Sequence, residues 1–118
     1  MNIETFREYC LSKKGVTEEF PFDETTLVFK VMGKMFALTD LEGEFSINLK
    51  CDPEKAIDLR EKYTAVKPGY HMNKQHWNTV TDDGSVTDDL LYNWIDDSYE
   101  LVIEKLPKSK KIELLNLP

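Results

Sequence analysis

The spacing of apolar positions changes period several times along the chain, and each change predicts a new element. Ile3, Phe6, Tyr9 and Cys10 recur at helical spacing behind Asn2, a good N-cap residue. Lys13-Lys14 place cations at the negative end of the helix dipole, and Gly15 supplies a stop. A first helix is therefore predicted over Ile3 to Lys13. Phe20-Pro21-Phe22-Asp23 follows as a proline-fixed extended connection, with its aromatics expected to close one edge of the core.

From Thr26 the period becomes two. Leu27, Phe29 and Val31 share one face, and Val28 and Lys30 the other. Met32-Gly33-Lys34 supplies a turn, and Met35 to Thr39 returns as a second strand. Leu41-Glu42-Gly43 turns again before Phe45, Ile47 and Leu49 alternate with Ser46, Asn48 and Lys50. This predicts a three-stranded antiparallel meander with one apolar and one mostly polar face.

Asp52-Pro53-Glu54 then opens a helix with a cap, a proline at the first helical position and an acid at the positive end. Its buried stripe is predicted at Ala56, Leu59 and Tyr63. Pro68-Gly69 breaks the pattern, Trp77 to Thr81 reads as a strand and Asp82-Asp83-Gly84-Ser85 as a turn, so one or two strands are expected before the next helix. Thr87 caps a long helix whose core stripe is Leu90, Leu91, Trp94, Ile95, Leu101 and Val102. Pro107 ends or kinks it, and Ile112, Leu114 and Leu115 predict a short closing helix. The expected fold class is α+β: an antiparallel β-sheet flanked by N- and C-terminal helices, as a two-layer sandwich in one domain over residues 1–118.

Composition alters this picture mainly through charge. The chain carries 22 acidic against 15 basic residues, a formal net charge of −7. That sign opposes global binding to phosphate backbones, which depends on Lys and Arg displacing counterions. The two cysteines, Cys10 and Cys51, have no metal or redox spacing and are expected as reduced thiols, although Cys51 precedes a helix N-terminus that would lower its pKa. The first residues lack the basic and apolar segments of a signal peptide, and no apolar run reaches bilayer length. A cytoplasmic protein with no membrane partner is expected, with a monomer favoured.

The acids are unevenly placed. Roughly one residue in five is Asp or Glu, yet none lies between Lys62 and Thr81. That stretch holds Lys67, His71, Lys74 and His76, interleaved with Tyr70, Asn73, Gln75, Trp77 and Asn78. It is the one segment whose local field should be neutral or positive.

Pro21-Phe22-Asp23, Val28 to Ala37 (VFKVMGKMFA), Asn48 to Glu54 (NLKCDPE), Pro68 to Lys74 (PGYHMNK), His76-Trp77-Asn78 and Ser98 to Val102 (SYELV) occur in that order. Together they resemble successive signatures of the MmcQ/YjbR family over nearly the whole chain. The resemblance implies a sheet flanked by terminal helices, similar to the bacterial frataxin (CyaY) superfamily. It also implies a double-wing DNA-binding motif built from the hairpins.

Two functional expectations follow. In the first, DNA is the partner: Lys30, Lys34 and Lys50 on neighbouring strands, with His71, Lys74 and His76, contact phosphates. Asn48, Asn73, Gln75 and Asn78 then reach base edges, and Tyr70 and Trp77 stack on unpaired bases. Arg7 and Arg60, the only arginines, lie on helices, so bidentate guanine readout is not expected and sequence preference should be weak. In the second, Tyr70, His71, Asn73, His76 and Trp77 line a pocket for a small molecule or a protein partner. The plain alternative to both is that Trp77 is core and the loop satisfies its own backbone. No cofactor or metal is expected, since His71 and His76 alone are too few ligands for zinc. The absence of a nucleophile elbow, phosphate-binding glycine loop or dinucleotide fingerprint predicts a non-enzyme.

Overall fold

Six strands form one antiparallel sheet in the computed structural model, which describes residues 1–118. They are β1 (Val16–Glu19), β2 (Thr26–Val31), β3 (Lys34–Asp40), β4 (Ser46–Lys50), β5 (Val66–Pro68) and β6 (Trp77–Thr81). Their spatial order is β1-β2-β3-β4-β6-β5. Four helices complete the chain: α1 (Ile3–Leu11), α2 (Pro53–Lys62), α3 (Asp88–Glu104) and α4 (Lys108–Asn116). The predicted architecture, an antiparallel sheet flanked by N- and C-terminal helices, is the one found.

The caps work as the sequence suggests. The side chains of Asn2, Asp52 and Thr87 accept the N–H groups of Thr5, Lys55 and Leu90 at the starts of α1, α2 and α3. α1 ends at Leu11, two residues before the predicted Lys13, because Ser12 takes the C-cap position. Val16–Glu19 then pairs with β2, an edge strand not predicted from the sequence. β5 is the second of the one or two strands expected between α2 and α3, at a position the sequence does not mark.

All four helices feed one core. Phe6 and Cys10 of α1, Leu91, Ile95 and Val102 of α3, and Leu114 of α4 join Leu27, Phe29, Val31, Ile47 and Val80 from the strands. Phe6 meets Phe29 edge-on at 5.4 Å, an arrangement that adds about 0.5–1.5 kcal/mol beyond area burial. The remaining sheet face carries no helix. On it Val28, Leu38 and Trp77 form a second apolar cluster flanked by Met35 and Met72. The meander's second face, predicted as mostly polar, is thus apolar at its centre.

A bulge positions this second face. Phe29 pairs with Ala37 and Lys30 with Met35, leaving Phe36 as the extra residue. Phe36 is fully buried against Tyr99 of α3, and Met35 is left on the helix-free side. The hydroxyl of Ser98 locks the bulge, donating to the carbonyl of Phe36 at 2.5 Å and accepting the N–H of Lys50 at 2.9 Å. At the β2–β3 turn Met32 and Gly33 both have positive φ, 49° and 85°, as a two-residue hairpin turn requires.

Candidate functional site

Two walls stand on the helix-free face. The first is the loop Gly69–His76 between β5 and β6. It leaves β5 through a close backbone approach: a Cβ on Gly69 would sit 2.8 Å from Trp77 Cβ and 2.9 Å from the Trp77 carbonyl. Only glycine fits there. His71 holds φ at +59°, a left-handed conformation that side chains disfavour. It stacks at a tilt on Tyr70, ring centroids 4.0 Å apart.

The loop is heavily anchored. The N–H of Tyr70 donates to Thr79 Oγ1 at 2.9 Å, and that hydroxyl donates to Asn48 Oδ1 at 2.5 Å. Asn73 Oδ1 accepts the N–H of Gln75 at 2.9 Å, and its carbonyl accepts the N–H of Trp77 at 3.0 Å. Lys74 Nζ donates to the carbonyl of Gly69 at 2.9 Å. From α2, the guanidinium of Arg60 donates to the carbonyls of Lys74 and Trp77. The carbonyl of His76 accepts the N–H of Cys51 at 2.7 Å.

The second wall is the connection between β1 and β2. Asp23 folds it by accepting the N–H groups of Thr26 and Thr25 at 2.6 and 2.9 Å. Those bonds, Thr26 foremost, hold its carboxyl below the usual carboxylate range. Phe20 and Phe22, expected to close the core, are exposed instead. Phe22 is 64% exposed and lines the same hollow as Tyr70, itself 69% exposed. Between them lies a groove of about 470 Å³ floored by Leu38, Asn48 and Thr79, with Asp23 and Asp40 also on its lining.

A second hollow of about 440 Å³ meets the groove at Phe22. Lys30, Lys34 and Lys50 line it, together with Met35 and Trp77. Lys30 is engaged by Glu19 at 3.2 Å. Neither Lys34 nor Lys50 belongs to an ion pair. Burial, and then the like charges of Lys105 and Lys34, push the Lys50 ammonium below its ordinary pKa. The face is therefore polarised, with acids at one end and free lysines at the other.

The predicted residues separate into four groups. Lys30, Lys34 and Lys50 do share one hollow, and Tyr70 and His71 line the groove. Trp77, at 7% exposure, forms part of the apolar floor beneath them. Asn73 and Lys74 serve the loop's internal bonding, and His76 is half-buried with its carbonyl committed. Asn78 lies on the opposite face: it is 3% exposed, accepts from Arg60 Nε at 2.6 Å and donates to the carbonyl of Ala56 at 3.4 Å. It cannot reach a base edge. Its place follows from strand parity, since Asn78 pairs with Leu49, a helix-side core residue, whereas Trp77 pairs with Lys50.

Phe22, Asp40 and Thr79 line the groove, Arg60 braces its loop, and the charge of Lys105 acts on Lys50; none of the five is among the residues expected from the sequence. Phe22 had a signal in the sequence, being an aromatic beside a proline, which was assigned to the core. No group of three or more His, Cys, Asp or Glu side chains is placed to hold a metal ion. Cys51 departs from expectation too, since burial raises its thiol pKa despite the adjoining helix start.

The fold and this face together define a two-layer α+β domain with a walled, polarised sheet surface. The family model described as YjbR matches residues 11–101, and the chain belongs to that family. It is 35% identical over 118 residues to the uncharacterized protein YjbR of Escherichia coli K12, covering 99% of this chain and 100% of that one. It is 41% identical over 106 residues to the uncharacterized protein YbdF of Escherichia coli O157:H7, covering 89% and 87%. The crystal structure of Deinococcus radiodurans protein DR2400, a DUF419 domain, superposes with a TM-score of 0.90 at 41% identity, over 99% of this chain and 89% of that one. A crystal structure from Pseudomonas syringae superposes with a TM-score of 0.73 at 30% identity, over 86% and 98%. No helix is long and apolar enough to cross a membrane.

Proposed function

We propose that the protein is a non-catalytic binding module that takes a small ligand on the helix-free face of its sheet. The observation that carries this is the groove of about 470 Å³ walled by two exposed aromatics, Phe22 and Tyr70. Its size falls within the range of about 300–1,000 Å³ common for small-molecule sites. Phe22 and Tyr70 line one hollow together, so they form a shared apolar surface and not singly scattered exposed residues. Here both stand on segments that backbone hydrogen bonds fix in place. Asn48 adds a directed polar group: the Thr79 hydroxyl, which accepts from Tyr70, donates to Asn48 Oδ1, and the amide NH₂ makes no hydrogen bond within the chain. The frataxin-like architecture that the resemblance implies is kept in this proposal for its layout alone, since a shared fold does not transfer chemistry.

A thermal-shift screen of a metabolite panel tests the proposal. A stabilising compound should lose its effect in Phe22→Ala and Tyr70→Ala, which change exposed side chains and should leave the unliganded melting point nearly unchanged. Compounds that stabilise both variants as well as the parent would place binding elsewhere.

DNA binding is the second reading, favoured by the unpaired Lys34 and Lys50 beside Lys105. It has narrower support than the small-ligand reading. Lys30 is held by Glu19, Lys74 is turned onto Gly69, and the net charge of −7 repels a polyanion.

A further inference from the structure

We infer that the groove takes a mononucleotide-like ligand: a flat heteroaromatic ring held between Phe22 and Tyr70, with one phosphate reaching Lys34 and Lys50. This deepens the small-ligand proposal and rests on it. Three features of the face point to that class.

The first is the pairing of chemistries. Exposed aromatic walls suit a flat ring, which stacks on them whatever its substituents. Phe22 belongs to both hollows, so a ring against it stands next to the lysine-lined one. The second is the lysines themselves. Lys34 and Lys50 repel one another, neither has a carboxylate within ion-pair distance, and burial of Lys50 adds to that cost. A bound dianion would relieve both penalties. The third is polarity along the face. Asp23 and Asp40 line the far end of the groove, where a continuing phosphate chain would meet two carboxylates. That arrangement accepts a ligand with one anionic end and rejects a strand running through. Next to those acids, the free NH₂ of Asn48 offers a donor to a ring carbonyl or ring nitrogen.

Calorimetric titration of the full chain at low salt with nucleoside monophosphates, the matching nucleosides, inorganic phosphate and a single-stranded oligonucleotide tests this directly. At least one monophosphate should bind about tenfold more tightly than its nucleoside. Lys34→Gln with Lys50→Gln should bring the monophosphate down to the nucleoside's affinity while leaving nucleoside binding unchanged. Tyr70→Ala should weaken both. Circular dichroism of each variant separates loss of a contact from loss of fold. Equal affinity for nucleoside and monophosphate, or tighter binding of the oligonucleotide than of the monophosphate, overturns the inference. If no nucleotide binds, but another compound stabilises the parent and not Tyr70→Ala, the ligand class is wrong and the groove assignment stands. If nothing in either panel responds to Phe22 or Tyr70 substitution, both fail.

Discussion

The backbone N–H of Tyr70 donates to the side chain of Thr79, a residue on the floor of the groove that Tyr70 overhangs. Because the Thr79 hydroxyl donates its own hydrogen bond to Asn48 Oδ1, one hydroxyl both fixes a wall and orients the floor's free amide. Thr79→Val should remove both bonds at little change in shape. We expect a loss of about 1 kcal/mol in unfolding free energy. Faster amide exchange at Tyr70 should accompany it, with the rest of β6 still protected. Unchanged exchange at Tyr70 would show that the loop is held by its other anchors.

Ser98 is fully buried and bridges two strands at the bulge that turns Met35 to the open face. Ser98→Ala strands the N–H of Lys50 and the carbonyl of Phe36. A destabilisation of about 1–3 kcal/mol is expected from chemical denaturation, with an unchanged m-value. A neutral result would mean that water replaces the hydroxyl.

Arg60 joins α2 to both β6 and the loop, and leaves Asn78 buried with a charged partner. Arg60→Ala should cost about 1.5–3 kcal/mol, and Arg60→Lys should recover little of it. Lysine offers no planar fork to share among three acceptors. Full rescue by lysine would reduce the contact to simple charge.

The Asp23 wall makes stability sensitive to acid. Folding depresses the Asp23 carboxyl through the N–H groups of Thr26 and Thr25. Its contribution is therefore complete above the unfolded value of about 3.9 and is lost as pH falls through the lower folded value. Below about pH 4 the parent should lose stability more steeply than Asp23→Ala. Parallel curves for the two proteins would remove Asp23 as the fastener of that wall.

Helix caps and strand alternation carried most of the architecture. Asn2, Asp52-Pro53 and Thr87 each sit where their local chemistry places them, and Thr26 to Lys50 forms the expected meander. The edge strands are not marked in the sequence because their pattern is weak: Val16–Glu19 has one apolar residue, and Val66–Pro68 ends in proline. Each exists through its neighbour's hydrogen bonds.

The site was legible in part. The acid-free stretch singles out the loop that walls the groove, yet it treats Lys74 and Asn78 as free when the loop and α2 use them internally. Phe22 was missed for the opposite reason. A large aromatic is usually core, and only the Asp23 turn places this one over the open face.

The most direct test of the groove as the binding site is a nuclear magnetic resonance titration that follows the Asn48 side-chain NH₂ with the backbone amides, using whichever compound the screens select. The account predicts saturable shifts of that NH₂ together with Tyr70, His71 and Thr79, and little change across α1 and α4. Shifts confined to the helical layer, with the Asn48 side chain unmoved at saturation, would contradict it.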